Sequence, residues 1–212
     1  MISAVGRRAG TSTEETREQL LAAAVRVFAA QGYEGSRVSE IAAEAGLSTG
    51  AIYSQYGGKA ELLCAAIRSK GPQAVAGLVD SGASGSVVGV LRLLGTRLGV
   101  ARPKGRGAGS RAMLVESLAA SRREPEVADV LRESLRGREQ QFADLVRAGQ
   151  AAGEIGPEVS ADGVARLCLL LLLGSVVTRT VDLPSPPAGE WEAVIEGLVR
   201  NLEPALEPVV VA

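Results

Sequence analysis

Residues 36–59 read SRVSEIAAEAGLSTGAIYSQYGGK. The apolar positions Val38, Ile41, Ala42 and Ala45 fall on one helical face, after a start at Ser36. Gly46 follows, and glycine supplies the positive φ that a sharp helix end needs. Leu47 plugs the inside of the corner, and Ser48 caps a second, short helix that carries Ile52 and Tyr56 inward. Ala42 sits where the two helices cross, at a point where a larger side chain would push them apart. The outward positions of the second helix are small or polar: Thr49, Gly50, Ala51, Ser54 and Gln55. Such a surface suits a helix whose N-terminal part presses into the major groove of DNA. Gly50 and Ala51 permit close approach, the Ala51 methyl matches a thymine methyl, and Thr49 and Gln55 hydrogen-bond base edges or phosphates. The Gly-Leu-Ser corner alone is equally a plain helical corner; the 24-residue string narrows the reading.

Upstream, Ser12 to Glu15 fits a capping box, and Leu20, Ala24, Val27 and Phe28 line one face of a first helix. Gly32 is placed to end that helix in a left-handed cap. Downstream, Gly57-Gly58 stops the short helix, and Lys59 begins a fourth with Leu62, Leu63, Ala66 and Ile67 apolar. These elements make a three-helix head and a connector. Beyond Gly71-Pro72 the helices lengthen, with expected spans of 87–102, 110–122, 125–152, 161–180 and 189–203. The stretches 82–86 and 103–109 read as Gly-rich connections, and Pro184-Ser185-Pro186-Pro187 separates the last two helices. No run alternates with a period of two, and no repeat is present. The expected fold class is all-α: an N-terminal helix-turn-helix domain over 1–70, with a flexible arm over 1–11, and a larger helical domain over 71–212.

Composition narrows the function classes. The 212 residues are 46% apolar, enough for a sizeable core, and the net charge of -1 argues against binding nucleic acid by bulk charge. A local groove-reading face remains compatible with that balance. The sequence contains no histidine, so the commonest general base and metal ligand are missing, and neither a phosphate loop nor a nucleophile elbow is present. An enzyme, a metal site and a cofactor are therefore not expected. Cys64 and Cys168 stand far apart and read as two reduced, buried thiols. The N-terminus carries Arg7 and Arg8 but no apolar signal region, and the apolar run 164–177 is interrupted by Arg166 and short for a bilayer. The expectation is a cytoplasmic protein with no membrane partner.

The stretch 14–68, centred on the 36–59 string, resembles the tetracycline-repressor family of transcriptional regulators. The matching residues are Ile41, Ala42, Ala45, Gly46, Ser48, Gly50, Ile52, Tyr53, Lys59, Leu62 and Leu63; Val27-Phe28 and Gly32-Tyr33 extend the likeness upstream. The family's usual His-Phe pair reads Gln55-Tyr56 here, which keeps the core aromatic and changes a DNA-facing side chain. The resemblance implies a repressor that binds a palindromic operator as a homodimer and releases it when a small molecule binds. It assigns phosphate contacts to Tyr53 and Lys59, backbone contacts to Ser36 and Arg37, and base contacts to Thr49, Gly50 and Ala51, with Ser48, Ser54 and Gln55 on the same surface.

The stretch from Arg111 to Arg132, RAMLVESLAASRREPEVADVLR, resembles the ligand-binding domain of that family. In this domain, the helix over 164–177 is apolar nearly all round and so must be covered on both sides. A last helix places Trp191, Val194, Ile195, Leu198 and Leu202 on one face. These two helices suit a four-helix bundle across a two-fold axis, with Leu169, Leu172, Val176, Trp191, Ile195 and Leu198 as the expected dimer interface. A buried hairpin within one chain is the other reading. The domain's only aromatics are Phe142 and Trp191, so an aromatic cage is not expected. An aliphatic pocket lined by Leu94, Leu98, Met113, Ser117, Phe142 and Val146 would take a small apolar ligand, although the same residues also read as plain core. An activator, a ligand-independent regulator and a protein–protein adaptor on the same scaffold remain as alternatives.

Overall fold

A computed structural model describes residues 13–70, 86–99 and 108–204. The expected arm over 1–11, the Ser12 cap and most of both Gly-rich connections lie outside the described residues. Among the described residues every regular element is helical: α1 (Thr13–Gly35), α2 (Val38–Ala45), α3 (Thr49–Tyr53), α4 (Lys59–Lys70), α5 (Val87–Gly99), α6 (Ala108–Ala120), α7 (Pro125–Ala151), α8 (Ala161–Thr180) and α9 (Ala188–Arg200). The expected spans of the last four agree with these to within a few residues, the usual scatter at helix ends.

The chain forms two compact units, Met1–Ser69 with Ala112–Leu131, and Lys70–Arg111 with Arg132–Ala212. The first unit therefore takes in 112–131 as well as the N-terminal helices of the expected head. Its core is built from the stripes read in the sequence: Leu20, Ala24 and Phe28 of α1, Ile41 and Ala42 of α2, Ile52 of α3, and Leu62, Leu63 and Ala66 of α4. Met113 and Ala120 of α6 and Val127 and Val130 of α7 complete the same cluster. Phe28 is fully buried, and truncating a core Phe to Ala costs about 3–5 kcal/mol.

Two glycines set the chain path in this unit. Gly46 adopts φ 67°, ψ 28°, the left-handed C-cap read from the sequence, and the Leu47 amide donates to the Ala42 carbonyl at 2.9 Å. Gly32 departs from expectation. It has φ 77° but ψ 168°, an extended mirror-image conformation that breaks α1 rather than capping it in the left-handed helical region. The Tyr33 amide freed by this break donates to the Glu116 carboxylate at 3.0 Å.

In the second unit, α5 packs on α9 and α8. Val88, Leu91 and Leu94 of α5 share a core with Phe142, Ala143 and Val146 of α7, Ala165 and Cys168 of α8, and Ile195 and Val199 of α9. The closest crossing is at Gly95, where an added Cβ would lie 2.7 Å from Ile195 Cγ2. The Trp191 indole N–H donates to the Gly95 carbonyl at 2.9 Å across the same crossing. Arg179 caps the end of α5 by donating to the Arg97 and Leu98 carbonyls at 2.9 and 3.0 Å.

The apolar run 164–177, which reads as short for a bilayer, lies within the longer helix α8. As a 20-residue helix it is long and apolar enough by length and composition. One of its faces is committed within the unit, where Ala165, Cys168, Leu169, Ser175 and Val176 are buried. Arg166 pairs with Glu139.

Candidate nucleic-acid interface and the second unit

The α2–α3 corner is held by its own polar groups. The Glu40 carboxylate accepts from the Arg37 amide at 2.9 Å, which places the helix start one residue later than the expected Ser36. The Ser48 hydroxyl accepts from the Ala51 amide at 3.2 Å, and the Ser54 hydroxyl donates to the Ala51 carbonyl at 2.8 Å. Ile52 and Tyr56 anchor α3 to the core. The opposite surface is left open: Ser48, Gly50, Tyr53, Ser54 and Gln55 are exposed, Thr49 and Ala51 are half-buried, and Tyr53 shows 55% of its surface. Arg37 is exposed on the adjoining helix start. The structure thus brings eight of the ten expected DNA-facing residues onto one surface.

The other two turn inward. Ser36 is buried, with 3% of its surface exposed, and its hydroxyl donates to the Tyr33 carbonyl at 2.9 Å. Its side chain is spent on the break after α1 and is not presented to a ligand. Lys59 is drawn to the same break. Its ammonium donates to the carbonyls of Tyr33 at 2.6 Å, Ser36 at 3.2 Å and Glu34 at 3.4 Å, and lies 4.4 Å from the centre of the Tyr33 ring. An ammonium has three protons, and here each has a carbonyl. The physical reason is the cluster of orphan carbonyls left where α1 breaks at Gly32, which attracts the nearest cation.

Sequence reasoning also missed the rest of this network. The Tyr33 hydroxyl donates to Glu124 at 3.0 Å, and Arg123 pairs with Glu34 at 2.8 Å. Burial and the neighbouring Glu124 carboxylate both raise the Tyr33 pKa, so the phenol keeps its proton and remains a donor. Glu116, Arg123 and Glu124 lie more than eighty residues along the chain from their partners, and no local pattern announces such pairs.

The expected ligand-pocket residues divide between the two units. Met113 and Ser117 are buried in the first, where the Ser117 hydroxyl donates back to the Met113 carbonyl at 2.7 Å. Leu94, Phe142 and Val146 lie in the core of the second. Leu94 also borders an apolar cavity of about 230 Å³ formed by α5, α8 and α9, and Leu98 borders another, of similar volume, beside the Pro-rich turn. Phe142 and Val146 line neither cavity; they are close-packed core.

The expected dimer seam also needs correction. Ile195 and Trp191 pack across the chain's own α5–α9 crossing, and Leu169 and Val176 are buried within the unit. Leu172 is half-buried. Of the six, Leu198 remains exposed. The open apolar surface of this unit includes Leu167, Leu170 and Val177 of α8, Val181 and Leu183 just after it, and Val194 and Leu198 of α9. With exposed Gly174, the α8 positions alternate by three and four residues, as a helix-packing seam does. That phase was readable in the sequence.

Both cysteines are free and buried. Burial pushes the Cys168 thiol up to about 11 and raises that of Cys64. Among the described residues no group of histidines, cysteines and carboxylates is arranged to hold a metal.

Comparison with known proteins gives concordant matches. Residues 20–66 match the family model of bacterial regulatory proteins of the tetR family, and residues 102–203 match the BetI-type transcriptional repressor C-terminal model. Over 66 residues the chain is 38% identical to the HTH-type transcriptional regulator SrpR of Pseudomonas putida, covering 31% of each. It is 36% identical over 66 residues to the HTH-type transcriptional regulator TtgW, also of Pseudomonas putida, covering 31% of this chain and 49% of that protein. The match thus spans about a third to a half of those relatives. In fold, a putative TetR-family regulator from Rhodococcus superposes with a TM-score of 0.75 at 21% identity, covering 90% of this chain and 99% of that one. A putative regulator from Saccharomonospora viridis in complex with choline gives 0.69 at 22% identity, covering 89% and 97%. FadR of Bacillus subtilis in complex with stearoyl-CoA gives 0.66 at 21%, covering 88% and 100%.

Proposed function

We infer that this chain, which belongs to the tetR family of bacterial regulatory proteins, is a cytoplasmic, ligand-responsive transcriptional repressor that binds a palindromic operator as a homodimer. The observation that carries the reading is the α3 surface. It is small and polar, fixed from behind by fully buried Ile52, and flanked by exposed Arg37 and Tyr53. In this reading Thr49, Gly50, Ala51 and Gln55 face base edges, while Arg37, Ser48, Tyr53 and Ser54 hold phosphates. Lys59 and Ser36 act behind them, fixing the end of α1 against the start of α2.

One head reads one half-site, so the operator requires a twin. The exposed stripe of Leu167, Leu170, Val177 and Val181, with Val194 and Leu198, supplies a self-complementary apolar face for it. The half-site centres then lie about 34–36 Å apart. The repressor sign is supported by the BetI-type repressor model that matches the C-terminal half. Ligand response is supported by fold neighbours that hold choline and stearoyl-CoA. In this reading the ligand site lies in the second unit, where Leu94 and Leu98 border open apolar space; Phe142 and Val146 serve that unit's core, and Met113 and Ser117 the first unit's.

The test is selection of duplex DNA from a random pool by the full chain, followed by titration. The expected result is one enriched palindrome, bound at least about a thousandfold more tightly than random duplex. Loss of preference on Thr49→Ala and Gln55→Ala would locate the reading on α3. Equal binding of selected and random DNA would sink it.

A further inference from the structure

Along the part of α7 that belongs to the second unit, the core-facing residues Phe142, Ala143, Leu145 and Val146 are apolar. Arg138 and Gln141 break that pattern. They stand three residues apart, one turn of helix, and so share a face. Both residues are half-buried, and within them Arg138 Nε and Gln141 Oε1 are fully buried. Among the described residues these are the buried side-chain polar atoms that have no hydrogen-bond partner.

Several charges of the unit are already paired. Glu139 pairs with Arg166, Asp144 and Asp162 with Arg147, and Glu196 with Arg92. Burial draws the basicity of Arg138 down, and no carboxylate among the described residues offsets it. A desolvated guanidinium with an empty donor destabilises a fold unless something pairs with it. The same holds, more weakly, for a buried amide oxygen.

We propose that Arg138 and Gln141 form the polar end of the ligand site, and that the ligand is an amphipathic molecule ending in a carboxylate. The proposal rests on the ligand-responsive reading above and names its ligand class. The guanidinium fork matches the two oxygens of a carboxylate, with Nε–H as one of its donors. The Gln141 carbonyl accepts from a hydroxyl or amide N–H on the ligand beside that carboxylate. Leu145, half-buried one turn further along the same helix face, offers an apolar contact to the rest of the molecule. A quaternary ammonium does not fit: it would meet a like charge, and the unit's described residues offer no aromatic cage. Phe142 is buried in the core and Trp191 is tied to Gly95.

The test uses the full-length protein in carboxylate-free buffer. Melting shifts and calorimetric titrations are measured with octanoate, decanoate and phenylacetate, each beside its amide, and with octyltrimethylammonium. At least one carboxylate should raise the melting temperature where its amide and the cation do not. Arg138→Met should weaken that carboxylate roughly 10- to 100-fold, while leaving the unliganded protein as stable as the parent or more so. Arg138→Lys keeps the charge and loses the fork, so it should weaken binding at parental stability, which tests the fork independently of the Met variant. The proposal is overturned if no carboxylate outperforms its amide, or if Arg138→Lys binds as the parent does. It is also overturned if Arg138→Met lowers the unliganded melting temperature, since Arg138 would then pair with a carboxylate of a second subunit. Operator binding is followed in parallel. A parent that binds carboxylate through Arg138 but no DNA would refute the regulator and leave this site standing, whereas ligand-blind operator binding would do the reverse.

Discussion

Replacing Lys59 by Met separates two tasks for one cation. In the structure its ammonium holds three carbonyls at the end of α1 and lies over the Tyr33 ring. A hydrogen bond to a charged group stabilises by about 1.5–3 kcal/mol, and an exposed cation–π contact by about 0.5–1. Lys59 is half-buried and the Glu34 bond is long at 3.4 Å, so water replaces part of this on truncation. The expected net loss is about 2–3 kcal/mol. In a chain of this length that lowers the melting midpoint by roughly 4–12 °C. The assay is thermal unfolding of the DNA-free protein by circular dichroism, with operator affinity measured across a salt series well below the midpoint. A side chain spent inside the head contributes no counterion release, so the salt slope should match the parent. A phosphate contact would instead leave the DNA-free midpoint unchanged and flatten the slope by about 0.9 per subunit. That second pattern would refute the inward role.

Three further outcomes are expected. Gly95→Ala sets a methyl 2.7 Å from Ile195 Cγ2 and should destabilise the second unit by about 1–3 kcal/mol, with partial rescue by Ile195→Val; denaturant titration checks both. Leu170→Glu together with Val177→Glu places charges on a face now 57% and 58% exposed in each residue, so the single chain should fold and sediment as a monomer where the parent sediments as a dimer. The Cys168 thiol, pushed up to about 11, is nearly all protonated at neutral pH, and its thiolate fraction rises about tenfold per pH unit up to that value. Alkylation by iodoacetamide, followed by mass spectrometry, should therefore be slow at pH 7 and faster as pH rises, and a fast reaction at pH 7 would contradict the buried thiol.

Much of the first unit was readable because its signals are local. Gly46 needs a positive φ, Ser48 caps the helix three residues before the amide it accepts from, and Ile41 and Ile52 repeat in phase with Leu20 and Leu62. The errors arose where a pattern states that a surface is covered but not by what. The α9 stripe of Trp191, Val194, Ile195, Leu198 and Leu202 reads as one seam. The structure splits it, with Ile195 on α5 and Leu198 open. The deciding signal is on the other helix: Gly95 follows the apolar Leu91 and Leu94 of α5, and its missing side chain marks a close crossing. Likewise, α8 is apolar all round because it has two apolar faces. Ala165, Cys168, Leu169 and Val176 turn inward, and Leu167, Leu170, Val177 and Val181 turn outward.

The same separation governs the polar residues of the helix-turn-helix. Ser36 and Arg37 are adjacent in sequence and both suit a phosphate, yet one is buried and the other exposed. Tyr53 and Lys59 share a motif, yet Tyr53 stands on the surface while Lys59 reaches back to carbonyls more than twenty residues earlier. The cause is the break at Gly32. It frees the Tyr33 amide, which takes the Glu116 carboxylate, and it exposes carbonyls, which take Lys59 and Ser36. One backbone irregularity thus fixes the destination of three polar side chains, and no residue-by-residue reading of the motif foresees that. It also sets what remains for DNA. With Lys59 occupied, Arg37 is the cation that the described residues leave on the α2–α3 surface, so under the proposed reading affinity would rest more on the close fit of Thr49, Gly50 and Ala51 than on bulk charge, in keeping with a net charge of -1.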